Sequence, residues 1–365
     1  MRIEMAKKVI EHLDKFPFGF PRSTDKDEWR LLEMPFVVSD EEGEVLSQLM
    51  PFKEHIDDIA IRIGRDKSEL IPILDSLVHK CWALRDGSKG AHYYRALNWG
   101  PGHVELAIAQ LSDEYYNYWA HQTATPETIA AVYGNAGVTP WVRVIPREAA
   151  IPYNSEVLPA ELLSHLIDHA GDEGLAICDC ICRTKQKRLG AGCDAPRDTC
   201  IFVGSYANNA VEIGVASAIT KDEALKISRR AQDAGLIHQG TASEHGIFIC
   251  SCCACCCSPL KLMMAGVNSI LKSNFIADVN VELCNGCRDC IKACRLKFVT
   301  INRTTKKAAI DLEKCIGCGL CVLACTHGAV TLKRKEKDKI IDLPHTWDDY
   351  MRLRATERGK MEFYK

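Results

Sequence analysis

The most constraining feature of this sequence is a run of four cysteines that occurs twice near its C-terminus. Both runs place two, two and three residues between successive cysteines: Cys284, Cys287, Cys290 and Cys294, then Cys315, Cys318, Cys321 and Cys325. Thiolates this close together repel one another unless a cation shares their charge. The repeat therefore predicts a small fold whose turns bring sulfur atoms together on bound metal.

The two runs resemble the cysteine motif of bacterial two-cluster ferredoxins over roughly residues 278–333. The resemblance implies two [4Fe-4S] clusters with crossed ligands: one cluster held by Cys284, Cys287, Cys290 and Cys325, the other by Cys315, Cys318, Cys321 and Cys294. The proline that usually follows the fourth cysteine is replaced by Arg295 and Thr326. Since proline binds no iron, we expect ligation to survive. The alternative is a pair of zinc sites. It is disfavoured, because a zinc site takes four ligands and does not require this crossed repeat.

Eleven more cysteines lie between residues 178 and 257, whereas the first 177 residues hold only Cys81. Next to a ferredoxin motif, this density predicts at least one further iron-sulfur cluster, with zinc or reactive thiols as alternatives. One candidate site takes Cys180, Cys182, Cys193 and Cys200. A second takes the 250–257 run, with candidate ligands Cys250, Cys252, Cys253, Cys255 and Cys256.

Neighbouring cysteines in that run resemble the Cys-Cys-Gly motifs of the heterodisulfide reductase family. The sequence departs from the motif, because Ala254 follows Cys253 and Ser258 follows Cys257. The resemblance nevertheless keeps a catalytic middle domain open as a hypothesis. Basic residues after Cys182, from Arg183 to Arg188, are expected to form a solvated loop, with an anion site as the alternative.

Residues 39–97 show the pattern of three helices and a hairpin. Apolar residues at helical spacing predict helices over 41–50, 56–63 and 66–78, the second ending at Gly64. Two short strand patterns, 82–84 and 92–97, flank a loop with Gly87 and Gly90. The segment resembles a winged helix-turn-helix domain. Residues 102–119 predict a further helix, rich in aromatic residues, that packs in a core or an interface.

Winged-helix proteins that bind DNA place the third helix in the major groove. Here that helix carries Glu69, Pro72 and Asp75, which oppose contact with a phosphate backbone. Basic residues flank it and would permit phosphate contact: Arg62, Arg65, Arg85, Lys89 and Arg95. We therefore expect the domain to dock a protein or form a homo-oligomer rather than to bind DNA.

These patterns predict a multidomain α+β protein. We place an N-terminal helical region with the winged-helix domain at 1–138, a cysteine-rich α/β domain at 139–275, and a two-cluster ferredoxin domain with a tail at 276–365. Charged residues make up 26% of the chain and its formal net charge is -2, which gives no general attraction to anionic polymers. No stretch resembles a membrane span or a signal-peptide core, so we expect a cytoplasmic protein.

The leading hypothesis for function is an anaerobe-type iron-sulfur protein that relays single electrons between a redox partner protein and a cysteine or metal site in the middle domain. A second hypothesis places a reductase active site in that domain and would make the chain an oxidoreductase component. A third is a redox-sensing winged-helix transcription regulator. No nucleotide motif supports a nicotinamide site.

Overall fold

The computed structural model describes residues 1–20, 29–33, 38–87, 90, 92–107, 112, 113, 117, 126–133 and 137–364. The N-terminal part begins with helix Ile3–Asp14 and the short helix Arg30–Glu33. Of the predicted helix over 102–119, the structure contains Val104–Ala107, after a kinked turn at Trp99–His103. Its aromatic residues Tyr115, Tyr116, Tyr118 and Trp119 lie outside the described residues.

Residues 39–97 form the three helices and the hairpin that the sequence predicts. The helices are Asp40–Leu46, Ile56–Ile63 and Lys67–His79, and the strands are β1 (Glu54–His55), β2 (Ala83–Asp86) and β3 (Tyr93–Ala96). Ser39 caps the first helix through a reciprocal hydrogen bond with Glu42, and Gly64 ends the second at a φ of 74°. The strands form one antiparallel sheet in the order β1-β3-β2.

A six-stranded sheet forms the centre of the molecule. Its strands are β4 (Val142–Val144), β5 (Leu175–Asp179), β6 (Asp198–Val203), β7 (Ser217–Ile219), β8 (Ile237–Thr241) and β9 (Phe248–Cys252). They lie in the order β4-β8-β9-β6-β5-β7, and all paired neighbours are antiparallel. The assignment of the middle domain to the α/β class is therefore wrong, because that class has a mostly parallel sheet. An antiparallel sheet with helices is typical of α+β domains.

The sheet is buried on both faces, and its residues alternate between them. Ala176, Phe202 and Phe248 point toward the N-terminal region and join its large apolar core. Their neighbours along the strands pack on the other side, where helices Leu163–Gly171 and Lys221–Asp233 cover the sheet. Helix Pro126–Tyr133 precedes the sheet in the chain. Within the segment that forms the sheet lie helices Ile181–Arg188, Ser205–Glu212 and Ser258–Met264, with short 3-10 turns at Glu148–Ala150 and Pro159–Glu161.

The C-terminal module consists of two antiparallel pairs of strands and two short helices. Strand β10 (Phe275–Val279) pairs with β13 (Val330–Arg334), and β11 (Val299–Ile301) pairs with β12 (Ala308–Ile310), both antiparallel. Helices Asp289–Ala293 and Leu320–Leu323 each carry the third cysteine of one run. The two short helices thus correspond to the two cysteine runs of the sequence.

The last helix, Trp347–Glu357, packs on the N-terminal region. The ring of Trp347 stacks on Phe18, and the hydroxyl of Tyr350 donates to the carbonyl oxygen of Thr139 at 2.8 Å. A turn at Lys337–Lys339 connects this helix to β13. Every helix within the described part of the chain is too short or too polar to cross a bilayer.

Candidate iron-sulfur and thiol sites

The C-terminal module contains two hollows lined by cysteine. Cys284, Cys287, Cys290 and Cys325 line the first, and Cys294, Cys315, Cys318 and Cys321 line the second. The structure thus brings together three cysteines of one run and the fourth of the other, which is the arrangement implied by the ferredoxin resemblance. Ligation of iron by these cysteines stays a prediction.

The backbone turns tightly around both hollows. At Gly286 and Gly317 φ is 77° and 69°, and a Cβ atom would lie only 2.5 Å from the carbonyl oxygen of Lys306 or 2.1 Å from that of Phe275. These positions therefore require glycine. Backbone N–H groups donate to sulfur at both hollows, from Ala308 to Cys284 Sγ at 3.4 Å and from Phe298 to Cys294 Sγ at 3.3 Å.

The donor set fits an iron-sulfur cluster. N–H groups aimed at cysteine sulfur stabilise a thiolate, which is the form that binds iron. Burial raises the pKa of Cys318 to about 12, so this thiol remains protonated at neutral pH unless a cation compensates the charge.

Comparison with known proteins supports the iron-sulfur assignment for this module alone. A family model described as a 4Fe-4S dicluster domain matches residues 283–329. Searches of curated proteins and of solved structures found no match to the chain. The C-terminal module is therefore a ferredoxin-like 4Fe-4S domain.

A row of thiols crosses the central sheet. In the register of the strands, Cys178 on β5 lies opposite Cys200 on β6, and Cys250 on β9 lies opposite Gln239 on β8. Cys200 and Cys250 meet between β6 and β9, with their Sγ atoms 3.5 Å apart. The row arises because three neighbouring strands each carry a cysteine on the face toward the N-terminal region.

The row continues around the end of β9. Cys252, two residues after Cys250 and on the same face, contacts Cys257, which in turn contacts Cys182. The sulfur atoms of Cys252 and Cys257 lie 3.5 and 3.8 Å from Oε1 of Gln239. We refer to Cys178, Cys182, Cys200, Cys250, Cys252 and Cys257 as the thiol row.

Neighbouring thiols in the row have opposite pKa shifts. Hydrogen bonds with Cys178 and Cys250 lower the pKa of Cys200 well below its usual value. Hydrogen bonds from Cys250 and Cys257 likewise lower the pKa of Cys252, whereas donation raises the pKa of Cys250. The thiolate, the form needed for metal binding or nucleophilic chemistry, is therefore more accessible at Cys200 and Cys252 than at Cys250.

A cavity of about 130 Å³ lies over the thiol row. Five members of the row line it together with Cys180, and most of the remaining wall is apolar or aromatic, including Trp99, Tyr133, Trp141, Phe202 and Phe248. Among the described residues, Glu105 and Lys185 are the charged ones in its lining. An apolar cavity with a few convergent polar groups is typical of a small-molecule or cofactor site.

Both charged residues have strongly shifted pKa values. Burial raises the pKa of Glu105 to about 7, and the N–H of Gly102, which donates to its Oε2 at 2.6 Å, opposes this rise. Burial lowers the pKa of Lys185 to about 8, opposed by the nearby Cys182. Groups that titrate near neutral pH are suited to proton transfer.

Three sequence interpretations need correction here. The strand patterns at 174–177 and 246–249 predict that the cysteines after them lie on turns. In the structure Cys178 lies within β5, and Cys250 and Cys252 lie within β9, because no glycine or proline interrupts these strands. The basic segment is the helix Ile181–Arg188 rather than a solvated loop, and Arg183 and Lys185 are buried.

The third correction concerns the grouping. Cys193 is separated from Cys180, Cys182 and Cys200 and lies with Cys253, Cys255 and Cys256, all four sulfur atoms within 4.8 Å of one another. Cys180, Cys182 and Cys200 instead share the cavity with Cys250 and Cys252. Each site therefore combines cysteines from both candidate groups, because β6 and β9 are neighbours in the sheet.

Sequence reasoning missed several residues of the cavity. Glu105, Gln239 and Cys257 were not selected, and strand β6 was not predicted. The stretch Thr199–Val203, apolar and β-branched and followed by Gly204, carried a strand signal. The signal for Glu105 was absent, because its place in the cavity depends on how the N-terminal region packs on the sheet.

Proposed function

We propose that this protein is an iron-sulfur electron carrier whose C-terminal module exchanges single electrons with a redox partner and with the cysteine-lined cavity of the middle domain. One observation carries the proposal. A single apolar cluster contains Cys252 and Cys257 of the thiol row together with Cys294 and Cys318 of the second hollow. Close packing of this kind shortens the path for electron transfer, and [4Fe-4S] clusters supply one-electron chemistry when bound.

The first hollow is suited to meet the partner. Cys287 is exposed, and Val281 and Leu283 nearby have more than half of their surface exposed. The second hollow faces the central sheet. The first hollow is thus the exposed one, and the second lies between it and the cavity. This order supports a module with two clusters in which the partner docks at the first hollow.

The experiment uses the full chain, purified without oxygen with its iron-sulfur clusters. A reduced ferredoxin serves as donor, and freeze-quench EPR follows the one-electron reduction of the further iron-sulfur cluster that we expect at the thiol row. Cys315→Ser is expected to block reduction by the donor while dithionite still reduces the middle domain. Cys81→Ala, at a buried thiol outside both sites, is the control. Unchanged donor-driven reduction in Cys315→Ser would refute the relay.

The cavity favours a second function, a reductase for a small molecule. Reduction of a disulfide to two thiols consumes two electrons and two protons. In this proposal the C-terminal module provides the electrons, and Glu105 and Lys185, both in the cavity wall, provide protons. Their pKa values near neutrality make each of them an effective donor.

This candidate is tested by mixing pre-reduced protein with dimethyl disulfide and following reoxidation by absorbance. Glu105→Gln is expected to slow reoxidation by roughly 100-fold, a common loss for a general acid. Glu244→Gln, on the opposite side of the sheet, is the control. Equal rates in the wild type and Glu105→Gln would exclude this proton donor.

The three helices and three-stranded sheet of residues 39–97 support a winged-helix module that docks protein rather than DNA. The arginines that flank the third helix form ion pairs with carboxylates: Arg62 with Glu54, Arg65 with Glu41, and Arg95 with Asp86. Arg85 pairs with both Asp75 and Glu212. Arginines already paired with carboxylates are poor ligands for a phosphate backbone. Homo-oligomer formation through this module stays a prediction.

A further inference from the structure

Four thiols from two separate segments converge outside the cavity. Cys193 precedes β6, while Cys253, Cys255 and Cys256 form the turn after β9. The start of β6 lies beside the end of β9 in the antiparallel register, so the two segments meet at the same end of the sheet. All four sulfur atoms lie within 4.8 Å of one another.

The spacing of these sulfur atoms fits one metal ion. Cys193 lies 3.7 Å from both Cys253 and Cys256, and Cys255 lies 3.7 Å from Cys256. Four sulfur atoms placed tetrahedrally at about 2.3 Å from a zinc ion lie about 3.8 Å from one another. Three of the six distances between the four sulfur atoms therefore match the edge of a tetrahedral zinc site, and the other three are no longer than 4.8 Å.

An iron-sulfur cubane would need a wider arrangement. Each of its four ligands binds a different iron at a different corner, which moves the sulfur atoms apart. A single ion instead brings all four ligands to one centre. The sequence predicts an iron-sulfur cluster in the middle domain, with zinc as an alternative. The spacing of these four sulfur atoms instead favours a single metal ion.

The surroundings favour a thiolate at two of these positions, Cys193 and Cys253. The backbone N–H of Ala195 donates to the sulfur of Cys193. Arg183, only 1% exposed, directs Nη1 at Cys253 Sγ at 3.9 Å and at the carbonyl oxygen of Ser251 at 2.8 Å. Nη2 of the same guanidinium donates to the hydroxyl oxygen of Thr199. The charge of Arg183 offsets part of the net negative charge of an ion with four thiolates.

We propose that Cys193, Cys253, Cys255 and Cys256 bind a structural Zn²⁺ ion, separate from the iron-sulfur sites. Four protein ligands leave no open position, which is typical of a structural rather than a catalytic zinc ion. The ion would join the segment before β6 to the turn after β9 and so fix the end of the sheet that carries the thiol row. The proposal does not depend on the proposed electron transfer.

The first measurement is elemental analysis and zinc K-edge X-ray absorption of the full-length protein, purified without oxygen. We expect about one zinc per chain with four sulfur neighbours at about 2.3 Å. The absence of zinc would overturn the proposal. So would a mononuclear iron in its place, which is recognised after oxidation of the protein by its high-spin ferric EPR signal.

Variants then assign the ligands. Cys255 is exposed, so Cys255→Ser disturbs no core packing and is expected to lose most of the zinc while the iron content is retained. Cys255→His is expected to keep the zinc, because imidazole replaces thiolate in Cys3His sites. Cys193→Ser, on the other segment, should lose zinc as Cys255→Ser does.

Two controls exclude other sources of zinc. Cys178→Ser alters a thiol of the row and should leave the zinc content unchanged. Glu244, His245 and His345 form another group within 4.8 Å, so His345→Gln is the second control. Loss of zinc in His345→Gln with retention in Cys255→Ser would refute the site, as would loss of iron in place of zinc in the cysteine variants.

Discussion

The backbone N–H of Arg147 donates a hydrogen bond of 3.2 Å to the carbonyl oxygen of Cys318. The guanidinium of Arg147 donates to the carbonyl oxygens of Gln232 and Leu236, which precede β8. One residue thus joins the edge of the central sheet to the second cysteine hollow and places a buried positive charge between them. This contact fixes the inner side of the C-terminal module against the middle domain.

The charge of Arg147 is expected to raise the reduction potential of a cluster in the second hollow, because reduction adds negative charge. Arg147→Gln should lower that potential by tens of millivolts, since a unit charge at an effective dielectric constant of about 20 contributes on the order of 1–2 kcal/mol over several ångströms. EPR-monitored redox titration measures it. Arg352→Gln, at an exposed residue of the last helix, should leave it unchanged.

The crossed arrangement of the cysteine hollows gives a second prediction. Cys294→Ser should damage the cluster held by Cys315, Cys318 and Cys321, which share its hollow, rather than the one held by its sequence neighbours. EPR and iron analysis of the anaerobic protein distinguish the two. Cys325→Ser is the mirror variant and should damage the cluster of the first hollow. The same cluster lost in both variants would contradict crossed ligation.

The sequence predicted those elements whose signals are local. Helix Ile56–Ile63 was predicted from apolar spacing and from Gly64, and both bounds agree with the structure. The hairpin β2–β3 followed from its glycine-containing loop. Capping residues and turn glycines act on neighbouring backbone groups, so they can be read without knowledge of the tertiary fold.

The middle-domain site could not be predicted in the same way. Cys193 and Cys253 are 60 residues apart, and their sulfur atoms meet at 3.7 Å only because β6 pairs with β9. No local pattern specifies that strand order. Arg183 was expected in solvent because a charged side chain is rarely buried, and its counter-charges are thiols that only the fold assembles around it.

A third prediction concerns the contact between the N-terminal module and the middle domain. Arg85 is buried and pairs with Asp75 at 2.5 Å and with Glu212 at 2.6 Å. The side chain of Asn209 accepts a hydrogen bond from the backbone N–H of Arg85 and donates one to its carbonyl oxygen. Arg85→Gln leaves two carboxylates without their partner. We expect the melting temperature to fall by at least about 5 °C, in line with the loss of a buried ion pair.

Arg65→Gln is the matched control, because Arg65 pairs with the exposed Glu41 and Glu69. Exposed pairs contribute less than about 1 kcal/mol, so its melting temperature should change little. Differential scanning fluorimetry measures both variants. Equal effects would show that the Arg85 pairs do not hold the N-terminal module on the sheet.

The last prediction is a pH dependence of stability from His103. Its ring is buried and stacks on Trp82 with centroids 3.8 Å apart. Burial lowers the pKa of His103 from 6.5 to about 4, opposed by the contact of Nδ1 with the carbonyl oxygen of Cys81. Between pH 6.5 and 4 the unfolded chain therefore binds a proton that the folded chain does not. The free energy of unfolding should fall over this interval by up to roughly 3 kcal/mol as pH decreases.

His103→Asn removes this titration, so its stability should fall less steeply from pH 6.5 to 4 than that of the wild type, although its absolute stability is lower because the stacked ring is lost. Chemical denaturation followed by tryptophan fluorescence at a series of pH values measures the slope. His79→Gln, at an exposed histidine, should keep the wild-type slope. If His103→Asn and the wild type lost stability in parallel over this interval, His103 would not be the group responsible.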